Sequence, residues 1–345
     1  FGGKMTYDES TYTYTLTGDI EINDDNSGAF PIIIENDGIF DGGYNENDSE
    51  PITITYTVDS DSDSEWYGLF KVGDATCDSN STIDFTVKNI KFILNSNSIA
   101  ESQGSIIAGT SSSISSCSNL NITIDNCHLD SNNSIVLSNN NVGGIVGEYF
   151  CANGATGLIK NCSNKLNMTG DYSGGICGQY AGYNGTLVIE NCSNSGVIGN
   201  TTDDSYCGGI CGAYCGYSTN YVTIKYCWNT GDIHKQSGGI IGAHSGNVNI
   251  YYCYNTGDQL QKQSGGIVGF SATENSDHIV TIFNCYNMGN GTSGISHQQG
   301  ICARPNQGKI YIYNCWSVST EFDYSICGKV RDGKTLQGLY IYNCL

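Results

Sequence analysis

The groups through which this chain could do chemistry are its carboxylates and thiols. Its 34 Asp and Glu and 17 Cys stand against five His, and Arg304 and Arg331 are the only arginines. Paired carboxylates serve as acid and base in glycoside hydrolysis. The candidates are Asp203-Asp204, Asp232 and Asp258, with the run Asp59, Asp61, Asp63 and Glu65. Asp232 and Asp258 close two copies of the phrase Asn-Thr-Gly-Asp, so each reads as a turn cap that accepts hydrogen bonds from backbone amides. The Asp59–Glu65 run alternates with serine, as solvated loops do; its hard oxygens suit weak Ca2+ binding but lack a fixed ligand spacing. In the sequence no His, Ser or Cys constellation repeats the pattern of a nucleophile with its base, and two arginines are too few to handle an acidic polysaccharide. The expectation is a protein with no catalytic residue, metal or cofactor.

The cysteines point to an oxidising compartment, where thiols commonly become disulfides. Zinc would require short paired spacings such as CxxC; the closest set is Cys207, Cys211 and Cys215, with His234, His244 and His278 scattered. An odd count leaves at least one thiol free or paired between chains. If equivalent residues stack on adjacent strands, Cα spacing falls within bridging range, which makes Cys177–Cys211, Cys302–Cys327 and Cys162–Cys192 candidate disulfides. Cys151, Cys207 and Cys215 then read as loop bridges.

The elements that position these groups come from a repeat. An aliphatic run ending in Asn/Tyr-Cys recurs at Cys127, Cys162, Cys192, Cys227, Cys253, Cys285, Cys315 and Cys344, in steps of 35, 30, 35, 26, 32, 30 and 29. Gly-Gly-Ile-x-Gly alternates with it at Gly143–Gly147, Gly174–Gly178, Gly208–Gly212, Gly238–Gly242 and Gly265–Gly269, with echoes at Gln299–Ala303 and Tyr324–Gly328. Each unit holds three short β-prone phrases separated by turns, without helical apolar spacing. That is one coil of a three-sided parallel β-helix, an all-β solenoid. Stacking predicts inward columns: Ile124, Ile159, Ile189, Ile224, Ile250, Ile282, Ile312 and Ile341, and a second of Val146, Cys177, Cys211, Ile241, Val268, Cys302 and Cys327. Residues 1–110 are cysteine-poor but carry similar short strands, with Gly68-Leu69-Phe70 and Ser105-Ile106-Ile107 in the Gly-Gly-Ile slot; residues 111–345 carry the marked repeats. Roughly nine or ten coils form one domain over residues 1–345, about 45 Å long at the usual strand spacing.

From Asn141 to Leu345 the repeat resembles the GLUG-type glycine-rich units of bacterial and protist surface proteins. Leu16–Ile20 through Asp41-Gly42-Gly43 is similar to the opening coils of pectin-lyase-like right-handed β-helices. The resemblance implies that fold and an exported location; it implies activity only weakly, since both groups include many non-catalytic members.

A net charge of −20 excludes nucleic acid, whose phosphates require Lys and Arg, and repels anionic membranes. No run of 18 apolar residues could span a bilayer. Phe1 in place of Met suits a processed, extracellular chain. N-linked glycans are expected at the loop sequons Asn80, Asn167, Asn184, Asn200 and Asn290, whereas the corner sequons Asn161 and Asn191 are expected to stay bare. The unpaired terminal strands suggest that the chain partners itself, head to tail, as a structural filament or coat subunit. The alternatives are a glycan-binding adhesin using Trp228, Tyr254, Tyr286 and Trp316, and, third, a carbohydrate-active enzyme.

Overall fold

The computed structural model describes residues 3–23, 31–57, 68–72, 82–95, 119–132, 135–201, 204–218, 220–293, 298–318 and 325–345. Among them there is no helix. Twenty strands join one sheet, and every named pairing is parallel except Met5–Asp8 against Thr13–Leu16. The chain is a parallel β-helix.

The aliphatic runs form its main wall. Thr13–Leu16, Gly38–Asp41, Ile83–Leu94, Leu120–Asp130, Thr156–Lys160 and Thr186–Glu190 pair in succession. Val222–Lys225, Val248–Tyr251, Ile279–Phe283, Lys309–Tyr313 and Gly338–Tyr342 continue the series. These eleven rungs exceed the sequence estimate by one, because Thr13–Leu16 already belongs to the wall. A second line of bridges runs through Met168, Ile198, Ile233 and Gln259, and the Gly-Gly-Ile motif makes a third through Gly143, Gly174, Gly208, Gly238 and Gly265. In the early coils Phe70–Val72 pairs with Ile32–Ile34. Ser105–Ile107 lies outside the described residues.

Register is residue over residue. The isoleucines from Ile124 to Ile312 form one column, each without measurable exposure. Ile341 continues it in the last coil, where it is 41% exposed. The alternating buried and half-buried pattern of each strand follows from the two-residue period of β structure. After the strand the chain turns through a left-handed residue at Asn126, Asn161, Asn191, Tyr226, Tyr252, Asn284, Asn314 and Asn343, with φ between 51° and 57°. Asparagine tolerates that region better than most residues, which accounts for its frequency before the cysteine.

A buried asparagine ladder lies two residues past the cysteine. Asn164, Asn194, Asn229, Asn255 and Asn287 are each at most 1% exposed. Each Nδ2 donates to Oδ1 of the next, at 2.8, 2.7, 2.7 and 2.7 Å. The other amide hydrogen goes to a carbonyl two residues on, as from Asn229 to Gly231 at 2.7 Å. These amides lie against the Gly-Gly-Ile glycines: a Cβ on Gly209 would come within 2.1 Å of the Gly239 carbonyl and 2.8 Å of the Asn229 side chain. The two motifs, far apart in sequence, are therefore one packing unit.

Gly209→Ala and Asn229→Ala are each expected to lower stability by about 3 kcal/mol, the first by overpacking and the second by orphaning buried amide groups. Thermal or denaturant unfolding of the purified chain measures both.

Candidate functional site

The carboxylates singled out in the sequence do not converge. Asp232 Oδ1 accepts the Asp258 amide at 3.0 Å, and Asp258 Oδ1 accepts the Asn290 amide at 2.8 Å, so both hold turns together. Asp204 pairs with Lys235 and accepts from the Tyr206 hydroxyl. Asp203 and the Asp59–Glu65 run lie outside the described residues. Among the described residues no cluster of His, Cys, Asp and Glu is arranged to hold a metal ion.

The fifteen described cysteines are free thiols in this structure, so none of the expected disulfides among them is formed in it. Cys177 stacks on Cys211, and Cys302 on Cys327, thiol beside thiol without a bond between the sulfurs, whereas the cysteines of the Asn/Tyr-Cys marker turn their sulfurs to carbonyls. Cys192 Sγ donates to the carbonyls of Glu190 at 3.3 Å and Ile159 at 3.8 Å; its own amide donates to Cys227 Sγ at 3.4 Å. The thiol-to-carbonyl bonds repeat at Cys162, Cys227, Cys253, Cys285, Cys315 and Cys344, and the amide-to-sulfur bond at Cys227, Cys253, Cys285 and Cys315. Cys207, expected in a loop bridge, donates to the Gly170 carbonyl at 3.0 Å, and Cys151 and Cys215 are buried without a bridge. Burial pushes the Cys127, Cys162, Cys192 and Cys227 thiols well above their ordinary pKa. They are core, not nucleophiles.

The residue following each of these cysteines faces outward, and this column makes the site. It reads His128, Ser163, Ser193, Trp228, Tyr254, Tyr286 and Trp316, paired in order. The four aromatic rings stack nearly parallel, with centroids 6.0, 4.9 and 4.7 Å apart. Their faces are therefore spent on one another. The two outer faces of the stack are left: that of Trp316, 37% exposed, and that of Trp228 toward Ser193, where two serines leave a gap in the ladder. Three steps of about 4.8 Å separate His128 from Trp228, about 14 Å in all.

That gap is the floor of a groove of about 720 Å³, within the size of small-ligand sites. Trp228 closes one end. Tyr44 and His128, in edge-on contact at 5.3 Å, close the other. Tyr44 arrives there because Gly42 lets its segment approach the neighbouring coil: a Cβ at Gly42 would lie 2.4 Å from the Asn89 carbonyl. Lys91 lies over the Tyr44 ring at 5.9 Å, and Lys165 pairs with Asp130 at 2.6 Å. Burial works to raise the Asp130 carboxyl, but hydrogen bonds from Lys165 and the Ser131 amide outweigh it and hold the group below its ordinary value. A general acid would need the opposite shift. Burial keeps the His128 imidazole below its usual pKa, hence neutral at neutral pH.

The sequons fall around this frame. Asn161 Nδ2 donates to Asp125 Oδ1 at 2.8 Å and Asn191 Nδ2 to Asn161 Oδ1 at 2.7 Å. Asn184 and Asn290 are exposed, whereas Asn167 and Asn200 are half-buried. The Asn200 amide is held by the Thr169 carbonyl and Asp171. Asn80 lies outside the described residues. Sequence reasoning found the aromatic ladder but not the groove; the column of residues after each cysteine, with its two adjacent serines, carried the signal.

Comparisons with protein-family models, with curated proteins and with solved structures return no match.

Alkylation of the native protein is expected to leave thirteen of the described cysteines unmodified, with slow reaction at the half-buried Cys327 and Cys344, and to modify all fifteen after unfolding. Peptide mass spectrometry reads both states, and a Cys162–Cys192 cross-linked peptide would contradict the thiol column.

Proposed function

We propose that this chain is a non-catalytic, exported surface solenoid that binds glycan in the groove between Tyr44 and Trp228. The observation that carries the reading is the uncovered face of Trp228 above a polar floor. Sugar rings offer an apolar face to an aromatic ring and hydroxyls to the groups around it, and this groove offers both. The bonded Asp130, Asp232 and Asp258, none poised as a proton donor, favour binding over hydrolysis. Export and the kinship with GLUG-type surface proteins belong to the same proposal, as do N-linked glycans on exposed loops.

A second reading, end-to-end assembly into a filament, draws on charge. Residues 1–50 carry twelve carboxylates against Lys4 alone, whereas residues 301–345 carry Arg304, Lys309, Lys329, Arg331 and Lys334 against three carboxylates. A second copy would bring opposite charge to each of these segments. Light scattering tests it: association should rise with protein concentration and weaken with added salt.

For the groove, Trp228→Ala is expected to weaken binding of an oligosaccharide selected on a glycan array about tenfold, the scale of one aromatic contact. Trp316→Ala, at the far end of the ladder, should leave it unchanged. Calorimetric titration distinguishes the two; equal losses would move the ligand to the ladder's edge.

A further inference from the structure

Resting on the glycan reading, the hydrogen-bond order around the groove assigns its ligand class: we infer that the floor presents acceptors, and so selects a neutral, hydroxyl-rich sugar over an acidic one.

The order is fixed from one end. Asp41 is a carboxylate and can only accept. Asn89 Nδ2 donates to its Oδ1 at 3.0 Å, which sets the Asn89 amide with its oxygen toward the next coil. Asn126 Nδ2 donates to that oxygen at 2.9 Å, and is oriented in turn. Asn126 Oδ1 lies 2.8 Å from His128 Nε2, so Nε2 must carry the hydrogen. In a neutral imidazole the other nitrogen then accepts. Ser163 Oγ lies 2.8 Å from Nδ1 and must donate to it. Its hydroxyl hydrogen is committed, and its lone pairs face the groove.

A parallel relay ends the same way. Asp125 Oδ1 fixes Asn161, and Asn161 Oδ1 takes the Asn191 amide at 2.7 Å. The remaining oxygen, Asn191 Oδ1, borders the groove as an acceptor. Asp130 and Glu46 add carboxylate oxygens to the lining. Of the two lining cations, Lys165 is held by Asp130 and Lys91 lies over Tyr44. Two carboxylates and two ammonium groups cancel in the groove, inside a chain of net charge −20. A ligand that supplies donors satisfies this floor. A carboxylate, which supplies only acceptors, meets Ser163 Oγ and Asn191 Oδ1 lone pair against lone pair, and polar mismatches of that kind are strongly discriminating.

The test titrates the intact chain with two oligosaccharides of matched length, neutral galactan and galacturonan, in about 0.15 M salt so that the chain's distant charges are screened. The neutral sugar should bind at least tenfold more tightly. Ser163→Ala should weaken the neutral sugar several-fold, and Ser163→Thr, which keeps the hydroxyl, should restore it. Equal or tighter binding of the uronate overturns the acceptor assignment and leaves the glycan reading standing. Failure of both sugars, and of every member of a glycan array, overturns the glycan reading itself.

Discussion

Hydrogen bonding along the axis governs everything else in this molecule. Parallel strands stacked at about 4.8 Å place each residue directly over its counterpart, so a side chain's environment is set by the same position in the coils above and below. Identical residues therefore organise into columns. Isoleucines fill the interior, thiols donate to carbonyls along one edge, and asparagines pass a hydrogen bond from coil to coil. The Gly-Gly-Ile glycines belong to this arrangement because the asparagine column leaves no room for a Cβ beside it.

A column that repeats is closed to ligands. The rings of Trp228, Tyr254, Tyr286 and Trp316 satisfy one another, as Asn164 through Asn287 do inside. Binding surface arises where a column breaks. Ser163 and Ser193 interrupt the outward column just before its aromatic stretch, and the break bares one ring face and two hydrogen-bonding positions. The same logic gives the floor its polarity. Each relay starts at a carboxylate, Asp41 or Asp125, and its direction is inherited by every amide after it.

Much of this was legible in the sequence. The Asn/Tyr-Cys and Gly-Gly-Ile markers gave the coil, the parallel stacking and the inward isoleucine column, because a period of 26–35 residues with β-prone phrases has few physical solutions. The rest required register. The asparagine at the second position past five of the cysteines, Asn164 through Asn287, reads as a turn residue until the coils are superposed. Stacked cysteines suggested bridges on Cα spacing alone, yet Cys162 and Cys192, sharing one side-chain direction, send their sulfurs to carbonyls. The groove joins Tyr44, Ser163 and Trp228, with Tyr44 more than one hundred residues from the other two, and the two serines stand out only when the residues after successive cysteines are read as a column.

The most direct measurement is a crystal structure of the chain with a bound oligosaccharide. The account predicts a sugar ring packed on the Trp228 face above Ser193, with hydroxyls donating to Ser163 Oγ and Asn191 Oδ1. Density along the edges of Tyr254, Tyr286 and Trp316, with the groove left to solvent, would contradict it.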